Sequence, residues 1–295
     1  NLVLGQTYEE ENSNTLTGWG VNFSEPYFLE LQNASKTYSS SYDYKHALAS
    51  YIARFNYNYD EKYLISAIIR RDGSSRLSKN IRWGTFPSVS VGWRFDKEKF
   101  FPISHDIVNM FKVRASYGVL GNENIGEYQY MATMNRNNMT YSFNNTAVTG
   151  SAISTYVNDN IAWEKKKTTN IGIDLAMFNN RVEFTAEWYK NRSEDLLYGV
   201  PVPAQAGVSN TSVTMNAASM DNSGFEFSAT YRNHDNPLKY DISANLSTLK
   251  NNVTSLGFGT SKYITGAYAT YVGHEVGQFY GWVYEDIART QADLD

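Results

Sequence analysis

The chain has 295 residues, no cysteine and a formal net charge of -4 at neutral pH. A chain without cysteine has neither disulfide bridges nor thiolate metal ligands, and its mild acidity gives no basic footprint for nucleic acid. Aromatic residues make up 15% of the sequence and include 23 tyrosines, a composition that favours strands. No stretch has the roughly 18 apolar residues of a membrane-spanning helix, but a membrane-spanning strand needs only about 9 to 11 residues of alternating polarity.

An alternation of apolar and polar residues with period two recurs along the chain. In residues 47–59 one face carries alanine, tyrosine and phenylalanine, and the other face is mostly polar. This is the pattern of a strand with one apolar face. The same pattern predicts strands in residues 65–69, 87–95, 111–117, 169–177, 182–188, 225–231 and 238–246, and a similar alternation opens the chain.

The connections between these strands alternate between short and long, which separates a barrel from a soluble sandwich. Outer-membrane barrels have tight turns on the inner side and long loops on the extracellular side. The fold predicted here is therefore all-β, an antiparallel transmembrane β-barrel segment with long extracellular loops. Residues 96–110 are too long for a tight turn, and we expect them to form a short amphipathic helix over the inner rim. The predicted short turns are residues 60–62, 179–180 and 233–237, and the predicted long loops are residues 72–84, 119–168, 189–224 and 247–277.

In a barrel the two faces of each strand have different surroundings, lipid outside and a hydrated lumen inside. Tyrosines beside the short turns would form an inner aromatic girdle at the headgroup level. Side chains expected to face lipid are Tyr51, Ala53, Phe55, Val89, Val91, Ile171, Ile173, Phe184 and Phe227, and those expected to face inward are Ser90, Arg114, Asp174, Glu183 and Glu226.

Several fragments, in a fixed order, carry a family resemblance. They are RRDGSSRL from Arg70, RWGTFPSVSVGWR from Arg82, KVRASYGVLGNENIGEYQY from Lys112, NIGIDLAMFNNRVEFTAEWYKNRSEDLL from Asn170, MDNSGFEFSATYRN from Met220 and VGHEVGQFYGWVYEDIARTQAD from Val272. Together they make the chain closely resemble the SusC/RagA-type TonB-dependent transporters. The chain departs from the family at Leu77, where Phe is usual, and at Ser223, where Lys is common.

This resemblance implies a barrel of about 22 strands around a plug. Residues 1–295 would supply about nine or ten of those strands, and we expect the plug domain and the closing strands to be absent from the chain. The resemblance further implies outer-membrane import of glycans or oligopeptides, with a SusD-like surface lipoprotein as partner. The TonB-ExbB-ExbD complex would act through the missing plug segment. Two alternatives stay open: a complete small outer-membrane barrel acting as an adhesin or surface enzyme, and a soluble β-rich binding module.

Sequence signals of an enzyme are absent, and we predict no catalytic residue, metal site or cofactor. The chain has no GxSxG, HExxH or Walker motif. Its four histidines, His46, His105, His234 and His274, never fall at metal-ligand spacing and are interpreted as rim or loop residues. The wall carboxylates admit a glycosidase interpretation, but a hydrated, salt-bridged lumen explains them better. These carboxylates are Glu183, Glu187, Glu226 and Asp241.

Two groups in the extracellular loops are candidate contact sites. Arginine forks suit phosphate oxyanions, so the basic cluster around residues 70–82 either binds an anionic ligand or lipopolysaccharide, or is paired internally. Exposed aromatic faces suit sugars and peptides, although the same rings could instead pack the loops together. The candidate residues for substrate or lid contact are Tyr128, Tyr130, Tyr141, Trp163 and Tyr198, and the basic cluster comprises Arg70, Arg71, Arg76, Lys79 and Arg82 with Asp72.

Overall fold

The computed structural model describes residues 1–135, 140–153, 155–234, 237–257 and 261–284. Its regular elements in these residues are strands, joined by short 3-10 turns at Leu31–Asn33, Phe95–Lys97 and Ala204–Ala206. In the same residues, no helix has the length and hydrophobicity that crossing a membrane would require. The strands are β1 (Leu2–Phe23), β2 (Ala34–Tyr59), β3 (Tyr63–Ser74), β4 (Trp83–Arg94), β5 (Val108–Asn122), β6 (Met134–Asn135), β7 (Thr140–Phe143), β8 (Thr146–Thr149), β9 (Ala152–Ile153), β10 (Glu164–Met177), β11 (Val182–Pro201), β12 (Ser212–Asn233), β13 (Tyr240–Ser247), β14 (Lys250–Ser255), β15 (Lys262–Thr265), β16 (Tyr268–Tyr271) and β17 (Gln278–Phe279).

Among the described residues, ten strands form one sheet. Its order is β1-β2-β3-β4-β5-β10-β11-β12-β13, and β14 also pairs with β12. The pairings of β1 with β2, β2 with β3, and β12 with β13 are antiparallel. The all-β, antiparallel fold of about nine or ten strands predicted from the sequence is confirmed.

The residues group into two compact units, each taken by itself below. The first unit comprises Asn1–Val91, Gly118–Lys165 and Leu197–Asn216. The second comprises Gly92–Tyr117, Lys166–Leu196 and the described residues from Ala217 onward.

The longest hairpin, in the first unit, extends well beyond the strand that the alternation predicted. Strands β1 and β2 have 22 and 26 residues, and they pair from Leu2 opposite Phe55 to Phe23 opposite Ala34. A membrane crossing uses only about 9 to 11 residues of a strand. Residues 34–46 are mostly polar, and their tyrosines, Tyr38, Tyr42 and Tyr44, lie at even positions, out of phase with the apolar odd positions of residues 47–59, although the ladder is continuous.

Strands also replace most of one predicted loop. Residues 189–224 were expected to be irregular, but β11 runs to Pro201 and β12 begins at Ser212. The turn before β11 is tight, as predicted, because Phe178, Asn179 and Asn180 all adopt positive φ. Asparagine tolerates this left-handed backbone better than most residues.

The predicted amphipathic helix in residues 96–110 is wrong. The segment has a single 3-10 turn at Phe95–Lys97 followed by irregular chain. Buried Asp96 organises it instead, because its carboxylate accepts hydrogen bonds from Arg94 (2.8 and 2.7 Å) and from the backbone N–H of Phe111 (3.0 Å). The apolar residues that suggested a helix form an edge-to-face aromatic cluster around Phe95, made of Trp93, Phe100, Phe101 and Phe111.

In the second unit, β12 passes from pairing with β13 to pairing with β14 at Gly224, without a shift of register. Residues 226–233 of β12 pair with β13, whereas residues 219–223 pair with β14. At the break, the backbone N–H of Thr248 bonds to Phe225 O at 2.8 Å. A Cβ atom on Gly224 would lie 1.9 Å from the Thr248 carbonyl oxygen. Only glycine therefore fits in the MDNSGFE motif at this position.

The solvent exposure of the strand residues agrees with the predicted division into a lipid-facing and an inward-facing side. Tyr51, Phe55, Val89, Val91, Ile171 and Phe227 are all exposed apolar residues, between 36% and 51% accessible, and Ala53, Ile173 and Phe184 are partly exposed. The residues predicted to face inward are half-buried, except Glu226, which is exposed. Val91 and Phe227 are not buried in a closed apolar core, whereas a soluble sandwich would bury them.

Candidate functional site

Apolar residues from three connections of the first unit and Phe86 of β4 pack into a small core, called here the loop core. Its buried members are Leu77, Phe86, Ile125, Ile161 and Trp163, with Leu48, Val119 and Leu197 against its edge. Leu77 comes from the β3–β4 connection and is fully buried. The position where the family usually has Phe is therefore a packing position, and the smaller Leu still fills it.

Trp163 lies inside the loop core rather than on a surface. It is 6% exposed, its ring meets Phe86 edge-to-face at 5.3 Å, and its Nε1–H donates to the Arg82 carbonyl oxygen at 2.9 Å. The ring of Phe86 in turn covers Gly121, where a Cβ atom would come within 2.1 Å of it. Of the five candidate contact residues, Trp163 thus holds loops together, which was the alternative interpretation of these rings.

A charged cluster lies beside the loop core and was not anticipated from the sequence. His46 of β2 is 9% exposed, with Nε2 3.5 Å from Glu123 Oε1 and Nδ1 3.8 Å from Glu127 Oε1. Arg76 Nε pairs with the same Glu127 oxygen at 2.6 Å. His46 is thus a buried residue of strand β2 and not a loop residue.

The carboxylates of this cluster are only partly compensated. Within the described residues, Glu123 Oε2 and Glu127 Oε2 are buried without a hydrogen-bond partner. Burial raises the pKa of Glu123 to about 7, assisted by the negative charges of Glu127 and Asp72 and opposed by Arg76. The Glu123 carboxyl therefore exchanges its proton near neutral pH.

Tyr128 fastens the same segment to the β1–β2 hairpin. Its hydroxyl accepts the backbone N–H of Lys45 at 3.1 Å and donates to the Lys45 carbonyl oxygen at 3.4 Å. Its backbone has φ +58°, a conformation that costs a bulky residue free energy. Tyr128 remains 38% exposed.

The hairpin β7–β8 presents an exposed aromatic pair that contains the candidate Tyr141. Tyr141 and Phe143 are 68% and 67% exposed, and their ring centroids are 5.3 Å apart. Asn144 and Asn145 make the turn with φ +47° and +58°, as the tight hairpin turns with two positive φ angles require. Tyr130 is half-buried and Tyr198 is 42% exposed. Among the described residues, none of the five candidate rings stacks on another of the five.

The basic cluster is split between the two faces of the sheet. Arg70 is paired with Asp72 at 2.7 Å and with Ser50 at 3.1 Å. Together with Arg76 and Glu127, this pairing supports the internally paired alternative. Arg71, one residue further, lies on the opposite face and over the ring of Trp83.

In the second unit, the face of the strands predicted to point inward, called here the wall face, carries a network of ion pairs. Arg114 binds Asp174 at 3.3 Å and also contacts Glu187, and Lys112 adds a 3.4 Å contact to Asp174. Arg232 pairs with Glu183 at 2.5 Å. A hollow of about 290 Å³ lies beside Arg114, Glu187 and Glu226. Paired charges of this kind fit the hydrated, salt-bridged wall rather than a pair of free catalytic acids.

The described residues contain no cluster of His, Asp and Glu side chains with the geometry of a metal site. His105 has its Nε2 3.0 Å from the Asp96 carbonyl oxygen, and His234 pairs with Asp241 at 2.7 Å. The ring of His274 lies against Tyr271. The last family fragment, from Val272, runs beyond residue 284 and so ends outside the described residues.

A sheet with an apolar outer face, a charged wall face and a loop core is the arrangement of an outer-membrane barrel segment. The family model described as TonB dependent receptor-like, beta-barrel matches residues 1–295. The chain belongs to this family, whose members lie in the bacterial outer membrane. The soluble binding module is thereby excluded.

Individual relatives agree with this assignment. TonB-dependent receptor P39 of Formosa agariphila is 34% identical over 90% of the chain, and TonB-dependent receptor SusC of Bacteroides thetaiotaomicron is 32% identical over 82% of it. The chain spans about a quarter of the length of these relatives (26% and 24%). Among solved structures, the RagAB peptide importer in its closed-closed state matches 94% of the chain and 30% of its own chain, with 28% identity and a TM-score of 0.82.

Proposed function

We propose that the full-length protein imports glycans or oligopeptides across the outer membrane and is not an enzyme. The chain would form part of the wall and of the extracellular loops, with a plug supplied by the rest of the protein. TonB-ExbB-ExbD would drive transport through that plug, and a SusD-like surface lipoprotein would cover the extracellular side. The observation that carries this proposal is the membership of the TonB-dependent receptor family over the whole chain.

The charges of the wall support transport over catalysis. Glycosidases keep two carboxyl groups on either side of a bond, roughly 5 to 9.5 Å apart, and one of them must act as an acid. Here Asp174 and Glu187 are both bound to Arg114, and Glu183 is bound to Arg232. Each of these carboxylates is therefore engaged by an arginine and does not stand as a free member of a catalytic pair.

The exposed rings of the first unit are the proposed contacts for substrate or lid. Tyr141 with Phe143 offers a paired aromatic surface, and Tyr128, Tyr130 and Tyr198 expose parts of their rings. Aromatic faces bind sugar rings and apolar peptide side chains. Trp163 would support this surface from below, by packing, without contacting the substrate.

The test is uptake by cells whose full-length transporter carries the variants, supplied with labelled glycans or oligopeptides. Tyr141→Ala would weaken uptake at limiting substrate by about 1 to 3 kcal/mol of contact energy, the range for removal of an aromatic contact. Ser142→Ala, whose position alternates onto the other hairpin face, is the matched control. Accumulation that persists without TonB, or cleavage of the substrate by purified protein, would contradict the proposal.

A further inference from the structure

Arg71 and Trp83 form a pair on the lipid-facing side of the first unit. The Arg71 guanidinium lies over the Trp83 ring, 5.5 Å from its centroid, and Tyr51 stacks on the same indole at 5.9 Å. Arg71 is the register partner of Tyr51 in the β2–β3 ladder, and directly opposed residues share one face of a sheet. Tyr51 belongs to the face that also carries Phe55, which is apolar and exposed.

The neighbouring arginine shows the difference between the two faces. Arg70 points to the wall face, where Asp72 and Ser50 bind it. Arg71 has no carboxylate within 4.0 Å among the residues that the structure describes, and its side chain is exposed. No described carboxylate therefore neutralises its positive charge.

The height of this pair in the membrane follows from the ladder. Tyr59 opposite Tyr63 marks the inner end, beside the tight turn, and Tyr51 opposite Arg71 lies eight positions further along β3. Eight residues extend a strand by about 27 Å, or about 20 Å along the membrane normal at a tilt near 40°, against an apolar band about 25 Å tall. The outward residues between the two levels are apolar, including Ile65, Ala67 and Ile69. Arg71 therefore lies at the outer headgroup level.

The backbone beneath the pair is shaped to hold the indole flat. A Cβ atom on Gly73 would lie 2.7 to 2.8 Å from three atoms of the Trp83 ring, so the ring rests directly on the glycine. The stacked ring orients the guanidinium plane, and a fixed guanidinium presents its donors in the fork that matches a phosphate. Aromatic and basic residues together are also typical anchors at a membrane interface.

We propose that Arg71, held by Trp83 and Tyr51, binds a phosphate group of the outer-leaflet glycolipid. The site lies on the outer surface of the sheet, away from the substrate path. Lipid binding there requires only that the protein lies in the outer membrane. Arg71 would donate charge-assisted hydrogen bonds to the phosphate, while the two aromatic rings contact the sugar and the upper acyl chains.

The experiment uses the full-length transporter in mild detergent and measures lipid retention by native mass spectrometry. Three ligands are compared: phosphorylated lipid A, lipid A from which the phosphates have been removed, and inorganic phosphate. Wild type is expected to bind phosphorylated lipid A roughly tenfold or more tightly than the dephosphorylated form, the scale of one charge-assisted contact. Arg71→Gln is expected to abolish this difference, and Arg71→Lys to retain part of it because the charge remains.

Two further variants distinguish binding at this site from a general effect of positive charge and from a loss of folding. Lys62→Gln is the matched control, because Lys62 also lies over an aromatic ring, that of Tyr63 at 5.3 Å, but beside the inner turn. It should leave the preference for the phosphorylated lipid unchanged. Gly73→Ala keeps the charge but displaces Trp83, and should reduce the preference. Equal binding by Arg71→Gln and wild type, an equal loss in Lys62→Gln, or displacement of the lipid by millimolar inorganic phosphate would each overturn the proposal.

Discussion

The Trp163 indole N–H donates a 2.9 Å hydrogen bond to the carbonyl oxygen of Arg82. This bond joins buried Trp163, in the segment that leads into β10, to half-buried Arg82, in the segment that leads into β4. An unsatisfied buried carbonyl costs about 1 to 3 kcal/mol, and removal of a large buried aromatic side chain costs about 3 to 5 kcal/mol. The pair therefore ranks high among the contacts that hold the extracellular loops in place.

Substitutions at Trp163 should destabilise the loop core in two distinguishable steps. Trp163→Phe keeps much of the ring packing against Phe86 but loses the bond to Arg82, so we expect a loss of about 1 to 3 kcal/mol. Trp163→Ala also leaves a cavity, with a loss of about 3 to 5 kcal/mol. Both losses of stability can be measured by following the proteolysis of residues 123–163 in the full-length protein as a function of denaturant concentration. Tyr141→Ala, at an exposed site, serves as control and should change stability by no more than about 0.5 kcal/mol.

The Glu123 cluster should make the loop after β5 more stable in acid. The pKa of Glu123 is about 7 in the folded chain, against 4.5 ordinarily. The folded loop therefore binds a proton that the unfolded loop releases, and this contribution to stability is present below pH 4.5 and lost as the pH rises through 7. Hydrogen exchange of residues 123–128 at pH 5 and pH 8 measures it.

Glu123→Gln separates this effect from others in the cluster. An amide stays neutral at every pH, so the variant should protect the loop at pH 8 as well as wild type does at pH 5. Glu164→Gln, at a carboxylate that instead accepts the Leu197 N–H, should keep the wild-type pH dependence. If Glu123→Gln showed the same pH dependence as wild type, another group would be responsible.

Period-two alternation predicted the parts of the fold that lie in lipid, because there each face meets a different solvent. Strands in residues 47–59 and 182–188 were predicted from it. The extension into residues 34–46 was missed because its tyrosines lie on the opposite face from the apolar residues of 47–59, so the alternation changes phase at the junction. The helix expected in residues 96–110 failed because the aromatic residues there pack around Phe95.

The loop core and the charged cluster depend on contacts far apart in sequence. His46 and Glu123 are separated by 77 positions but lie 3.5 Å apart, and no local signal connects them. The alternation does place His46 on the same face as Ser50, so its inward direction was available, but its partners come from an irregular loop. The five candidate rings were selected for being aromatic and in a loop, a criterion that does not separate buried Trp163 from exposed Tyr141.

Gly224 should be intolerant of any side chain. A methyl group there would meet the Thr248 carbonyl at 1.9 Å, and that carbonyl also accepts the Tyr189 hydroxyl at 3.1 Å. Gly224→Ala must push the backbone at Thr248 away from β12, so we expect a loss of about 1 to 3 kcal/mol and less folded protein in the membrane. Heat-modifiable migration on gels reports this loss. Gly266→Ser, at an open turn with nothing within 4 Å of the added atom, should cost less, although its φ of +60° carries its own strain.

The wall acids should matter for structure and not for substrate. Glu187→Gln leaves Arg114 with Asp174, so only part of its neutralisation is lost and the change in stability should be small, within about 1 kcal/mol. The double variant Asp174→Asn with Glu187→Gln leaves Arg114 and Lys112 without these acids on a half-buried wall, and should cost more than the sum of the two single changes. Thermal unfolding of the four proteins in detergent gives this coupling directly. Glu226→Gln, whose carboxylate has no ion pair among the described residues, is the control with no expected change.

Uptake affinity should be the same in Glu187→Gln, Glu226→Gln and wild type, because the proposed contacts lie on the loops. Hydrolysis of a glycan or peptide by wild type that disappears in either single variant would instead identify these carboxylates as catalytic.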